Sequence, residues 1–100
     1  MSPTEGQFFV YILAGRKYGA LYVGVTGNLP GRIYLHREKI VRGHTSRYQI
    51  DLLVYFEQHD TPAAAILREK QMKKWRRAWK IELIEKTNRE WRDLFEEIAS

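Results

Sequence analysis

Two apolar runs of strand type, separated by a short turn, dominate the first quarter of this 100-residue chain. Phe8-Phe9-Val10-Tyr11-Ile12-Leu13 is β-branched, aromatic or aliphatic at every position, the pattern of a strand buried on both faces. Gly15-Arg16-Lys17-Tyr18-Gly19 has glycine at each end and reads as a turn. Ala20-Leu21-Tyr22-Val23-Gly24-Val25 then forms a second strand, and so short a connection implies an antiparallel hairpin.

The rest of the chain supplies one more strand and several helices. Asn28 is a good N-cap and Pro30 suits a first turn, so a helix is expected to about Lys39, with Leu29, Ile33 and Ile40 on its apolar side. Arg32, His36 and Lys39 share another face. Residues 41–49 form a polar, basic loop, and Leu52-Leu53-Val54-Tyr55-Phe56 is a third strand. Thr61 caps a helix with Pro62 in its first position, running from Ala63 to about Arg76. A further helix covers Trp79 to Lys86. Thr87-Asn88-Arg89-Glu90 resembles a capping box ahead of Trp91, Leu94, Phe95 and Ile98, an apolar stripe at helical spacing. The order ββαβααα makes the fold class α+β, a small, mainly antiparallel sheet flanked by helices. It is divided into a domain over residues 7–84 and a C-terminal amphipathic helix, 85–100, packed on it.

Composition removes whole classes of chemistry. With no cysteine, disulfides, thiolate zinc sites and cysteine nucleophiles are excluded. The longest apolar run, Phe8 to Ala14, is far short of the roughly 20 residues that span a bilayer, and no secretory signal precedes it. A cytoplasmic protein without membrane contact is the expectation. The formal net charge of +5 favours polyanionic partners, and the charge is concentrated. Residues 68–80 carry seven basic side chains against Glu69 alone, whereas residues 81–100 carry three basic and six acidic ones.

Single residues admit two readings each. A strand tyrosine such as Tyr11 or Tyr22 is ordinarily packing. Arg32 and His36 form either a solvated basic face or a phosphate-binding pair. Glu69 neighbours Ala65, Ile66 and Met72 on a helical wheel, so its carboxylate points toward the sheet and needs a cation. Lys73 at i+4 is one candidate and a hard divalent metal the other. In Lys73-Lys74-Trp75-Arg76-Arg77-Ala78-Trp79-Lys80, cations suit phosphates and indoles suit bases, or the indoles are core and the cations only solubilise. His59 and His44 have no partner at metal-ligand spacing and are taken as loop residues, with His44 able to approach a phosphate.

Phe9-Val10-Tyr11, Tyr22-Val23-Gly24, Asn28-Leu29 with Arg32 and His36, and Glu69 on a later helix together resemble the GIY-YIG nuclease domain over about residues 7–84. Arg68-Glu69-Lys70-Gln71 leading into the basic run is similar to the small stand-alone bacterial branch. The resemblance implies a three-stranded antiparallel sheet flanked by helices and metal-dependent hydrolysis of DNA phosphodiesters. Carried over by position, Tyr11 positions or deprotonates the attacking water and Tyr22 orients the water or phosphate. Arg32 stabilises the pentacovalent charge, His36 assists proton transfer or contacts phosphate, and Glu69 holds one Mg²⁺ or Mn²⁺. On the same reading, nearby Arg32, other cations and a metal favour the Tyr11 phenolate. Asn88 is a candidate for a late asparagine of some members. Arg47, Lys70, Lys73, Lys74, Arg76 and Arg77 are candidate nucleic-acid contacts. The first motif departs from the family in having Phe9 for glycine, and Val25 stands where excision-repair relatives often have lysine.

The leading expectation is therefore a structure-selective DNA endonuclease, acting in repair or recombination as a monomer or weak homodimer. Two others stand beside it: a nucleic-acid-binding module that does not cut without a partner protein, and an interaction protein that dimerises through its C-terminal helix.

Overall fold

The computed structural model describes residues 7–38 and 50–99. Three strands, β1 (Phe8–Ala14), β2 (Leu21–Thr26) and β3 (Leu52–His59), form one antiparallel sheet in the order β2-β1-β3. Between and after them come helices α1 (Leu29–Arg37), α2 (Pro62–Lys74), α3 (Arg77–Thr87) and α4 (Phe95–Ala99). The most apolar strand takes the centre, as an uninterrupted run must if both its faces are to be covered.

Alternation along β1 divides the core in two. Val10, Ile12 and Ala14 face α2 and α3 with Val23, Val54, Ala65, Met72 and Ile84. Tyr11 and Leu13 face the other way with Leu29, Ile33, Leu53 and Leu94. Each fully buried aliphatic side chain here contributes roughly 1.5–3 kcal/mol. A β-bulge opposite Ile12 and Leu13 lets the consecutive Val54 and Tyr55 of β3 join the same face.

The hairpin turn is locked by Gly19 N–H donating to the Arg16 carbonyl at 2.8 Å, and Tyr18 takes a positive φ of 60°. α1 begins where Asn28 accepts a hydrogen bond from Gly31 N–H, and it ends at Arg37 rather than about Lys39. Lys39, Ile40, His44 and Arg47 lie outside the described residues. α2 starts at the Thr61 cap and stops at Lys74, two residues earlier than expected, because Trp75 and Arg76 are both extended. α3 then begins at Arg77 and runs unbroken past residue 84, so the domain boundary drawn there falls inside a helix.

The largest correction concerns the C-terminal segment. Thr87 ends α3 instead of capping a new helix, and Asn88 is the C-cap, its N–H donating to Ile84 O at 2.8 Å. Helix resumes only at Phe95. The apolar stripe of Trp91, Leu94, Phe95 and Ile98 is real but serves two different faces. Trp91 joins the α2/α3 core, while Leu94, Phe95 and Ile98 join the α1 core. One helix cannot reach both sides of a sheet, so the chain turns at Arg89 and Glu90, takes a positive φ of 58° at Trp91 and passes the β3 edge without regular structure. On the way Leu94 N–H donates to Leu53 O at 2.7 Å, and Asp93 Oδ1 accepts from Leu53 N–H at 3.3 Å. The passage covers part of the β3 edge. Arg37 fastens it to α1 through an ion pair with Asp93.

Candidate active site

The site forms around Tyr11. Pleating turns its side chain toward α1, where it is 1% exposed. Its partner across the β1–β2 ladder is Gly24. Any Cβ at Gly24 would collide with Cζ and Oη of Tyr11, so the glycine is the space in which the phenol lies. The Oη reaches Nε2 of His36 at 3.2 Å, and Tyr22 completes the cluster, its ring centroid 6.3 Å from Tyr11 and 5.4 Å from His36.

α1 supplies the two basic groups because Arg32 and His36 are one turn apart. Burial pushes the Tyr11 phenol far above its ordinary value, and the neighbouring Tyr22 adds to this. Arg32 acts the other way but does not overcome them, so without a bound metal the protein's own groups favour the neutral phenol at Tyr11. Burial also lowers His36 below its ordinary 6.5, with Arg32 adding to the effect, so the imidazole is neutral at pH 7. The two form a neutral donor–acceptor pair. The Arg32 guanidinium makes no ion pair or hydrogen bond among the described residues, and it borders two shallow grooves of about 290 and 410 Å³.

Glu69 approaches from the other side of the sheet. α2 packs on β1 and the edge strand β2, and the Glu69 charge is felt at Tyr11. Its side chain is 13% exposed and accepts an ion pair from Lys73 at 2.8 Å. Of its wheel neighbours, Ala65 and Met72 are buried as expected, but Ile66 is exposed.

The family model for the GIY-YIG catalytic domain matches residues 7–82. The chain belongs to the GIY-YIG family. A GIY-YIG domain is a nuclease domain, a hydrolase whose substrate is DNA. No curated protein and no solved structure matches the chain. Among the described residues no helix is long and apolar enough to cross a membrane.

Nucleases with GIY-YIG domains are generally divalent-metal dependent. Among the described residues no cluster of three or more acidic or histidine side chains could hold a metal by itself. One sheltered carboxylate, Glu69, is still a fit for a hard cation such as Mg²⁺, which keeps most of its waters and takes its remaining ligands from substrate phosphate.

Other candidates fall elsewhere. Asn88 is 3% exposed, and its amide bonds only backbone: Nδ2 donates to Val54 O and Arg92 O, and Oδ1 accepts from Arg92 N–H. Arg77 donates to the carbonyls of Tyr18 and Gly19, pinning the hairpin turn to α3. Lys70, Lys73, Lys74 and Arg76 are exposed. His59, expected in a loop, closes β3 and bonds Glu57 at 2.6 Å. Sequence reasoning attached chemistry to Tyr11 and Tyr22 but missed the steric role of Gly24. The pairing of Tyr11 with Gly24 across a short hairpin was the signal that could have found it.

Proposed function

We propose that the protein is a divalent-metal-dependent endonuclease that hydrolyses DNA phosphodiester bonds, selecting DNA structure rather than sequence, with repair or recombination as its setting. The observation that carries this is the Tyr11–His36 pair beside an Arg32 that has no partner among the described residues. Arg32 takes the scissile phosphate and stabilises the charge that grows on it. Tyr22 orients phosphate and water. The water oxygen attacks phosphorus as its proton passes to Tyr11 Oη, which hands its own proton to His36 Nε2. The bond from phosphorus to the departing sugar oxygen breaks, that oxygen takes a proton from solvent water, and His36 returns its extra proton to solvent. Glu69 is the residue to hold Mg²⁺ or Mn²⁺, which when bound supplies positive charge to the phosphoryl and leaving oxygens.

Lys70, Lys73, Lys74 and Arg76 serve as phosphate contacts outside the site. The absence of cysteine fits a reducing compartment, and the cytoplasm is the proposed location, with a monomer or weak homodimer as the working form.

The test is cleavage of single-stranded, duplex and branched DNA with Mg²⁺, Mn²⁺ or chelator, by wild type and Glu69→Ala. Metal-dependent cutting that Glu69→Ala loses supports the reading, and equal cutting by the variant rejects it. The existing Lys73–Glu69 pair favours one second reading, a binding module whose carboxylate needs no metal. Binding without metal-dependent cutting would select it.

A further inference from the structure

Trp75 and Trp79 stand on either side of the break between α2 and α3, and they are not equivalent. Trp75 is packed against the core, with the Arg68 guanidinium 5.0 Å over its ring. Trp79 is 51% exposed and meets Trp75 edge to face at 6.3 Å. With Glu82, Leu83 and Lys86 of α3 they line an open groove of about 360 Å³. Packing accounts for Trp75. It does not account for an indole held half in water beside an apolar groove.

The groove's chemistry narrows its occupant. Indole faces suit a planar ring. Lys86 puts a cation at the rim, and the Arg76 guanidinium lies 5.4 Å over the Trp79 ring. Glu82 disfavours a phosphate inside but accepts from a ring N–H or exocyclic amine. An aliphatic partner would use neither the cations nor the carboxylate. A nucleobase inside with its phosphates at the rim uses all of them. The base must be unpaired, since a paired base keeps its faces in the stack.

The groove also lies in a useful place. On the α2 wheel, Glu69 and Arg68 flank the buried Ala65 and Met72 on opposite sides, so the nuclease site and the groove are on opposite flanks of α2. The outward face between them carries Lys70 and Lys74. We propose that this groove binds an unpaired nucleobase and directs the enzyme to DNA with a single-stranded segment next to the cleavage point. This rests on the nuclease reading above.

The experiment measures binding of the full chain, in chelator, to a labelled single strand, a duplex with a single-stranded flap, and a blunt duplex. Trp79→Ala and Trp79→Phe are compared with wild type, and thermal melting confirms that both fold. Trp79→Ala is expected to weaken single-strand and flap binding about tenfold and change duplex binding less than twofold. Trp79→Phe should keep most of the affinity. The salt dependence should stay the same, because no phosphate contact is removed. Abasic residues in the flap should reproduce the Trp79→Ala loss on wild type. Unchanged flap binding, or an equal loss on blunt duplex, overturns the proposal. If the wild type cuts DNA while Trp79→Ala binds flaps normally, the groove is rejected and the nuclease stands. If Trp79-dependent flap binding is seen without cutting in Mg²⁺ or Mn²⁺, the groove stands and the nuclease is rejected.

Discussion

The two faces of the sheet carry polar clusters built from nearly the same residue types, joined in opposite ways. On the α2 face, Glu57 accepts from Tyr55 Oη at 2.5 Å, from Arg68 at 2.8 and 3.2 Å, and bonds His59 at 2.6 Å. Both of its oxygens are occupied. On the α1 face, Tyr11 and His36 bond each other as neutral groups, and Arg32 has no partner among the described residues. Placing a phosphate on Arg68 would break existing bonds, and placing one on Arg32 breaks none among the described residues. Residue type alone therefore does not mark the site. The state of satisfaction does.

The comparison breaks most sharply at the two tyrosines. Tyr11→Phe keeps the ring and removes the proton relay, so DNA cleavage should fall about 10²–10⁴-fold, while loss of the buried bond to His36 costs about 1–2 kcal/mol of stability. Tyr55→Phe should lower stability by a similar amount, about 1–2 kcal/mol, but leave cleavage within about twofold. Rates and melting curves of the same two preparations check both.

Glu57→Ala comes next. It strips partners from Tyr55, His59 and Arg68, and a loss of about 2–3 kcal/mol is expected. That corresponds to a fall in melting temperature of roughly 10 °C or more, read by calorimetry. Gly24→Ala joins the effects that the other variants separate. Its methyl pushes on Tyr11, so both stability, by about 1–3 kcal/mol, and cleavage should drop.

Much of this was legible from local pattern. The hairpin, the Asn28 and Thr61 caps, and the placing of Arg32 and His36 one turn apart all follow from short-range spacing. So does the direction of Glu69, because Ala65 and Met72 mark the buried side of α2. The Glu57 cluster was not legible, since its bonds join β3 to a helix eleven residues further on. Nor was the path of residues 88–94. Their apolar spacing is helical, but Trp91 and Leu94 are drawn to opposite faces of the sheet by packing that no local rule contains. Trp75 and Trp79 admitted both a core and a base-binding reading, and only the break at Trp75 and Arg76 separates them, with Trp75 packed inward and Trp79 turned outward.

The smallest effects are in pH. Glu57 is held below its ordinary 4.5 against the opposing pull of burial, by its bonds to Arg68, Tyr55 and His59. Its contribution to stability is full above that pH and lost as pH falls through its lower folded value. Glu57→Gln removes this titration, so below about pH 4.5 its stability should fall less steeply than that of the wild type. His36 is lowered from 6.5, so below about pH 6.5 the unfolded chain takes up a proton that the folded site resists. Stability should soften there, and cleavage should decline only at still lower pH. Urea titrations and rate profiles across pH 4–8 read these two limbs.

The central claim is that the Tyr11 cluster does the chemistry and the Tyr55 cluster only holds β3 to α2. It is tested most directly by cleavage of one flapped DNA in Mg²⁺ and in chelator by wild type, Tyr11→Phe and Tyr55→Phe. The expected result is metal-dependent cutting by wild type and Tyr55→Phe, and at least a hundredfold less by Tyr11→Phe. Equal cutting by wild type and Tyr11→Phe, or a loss confined to Tyr55→Phe, would contradict it.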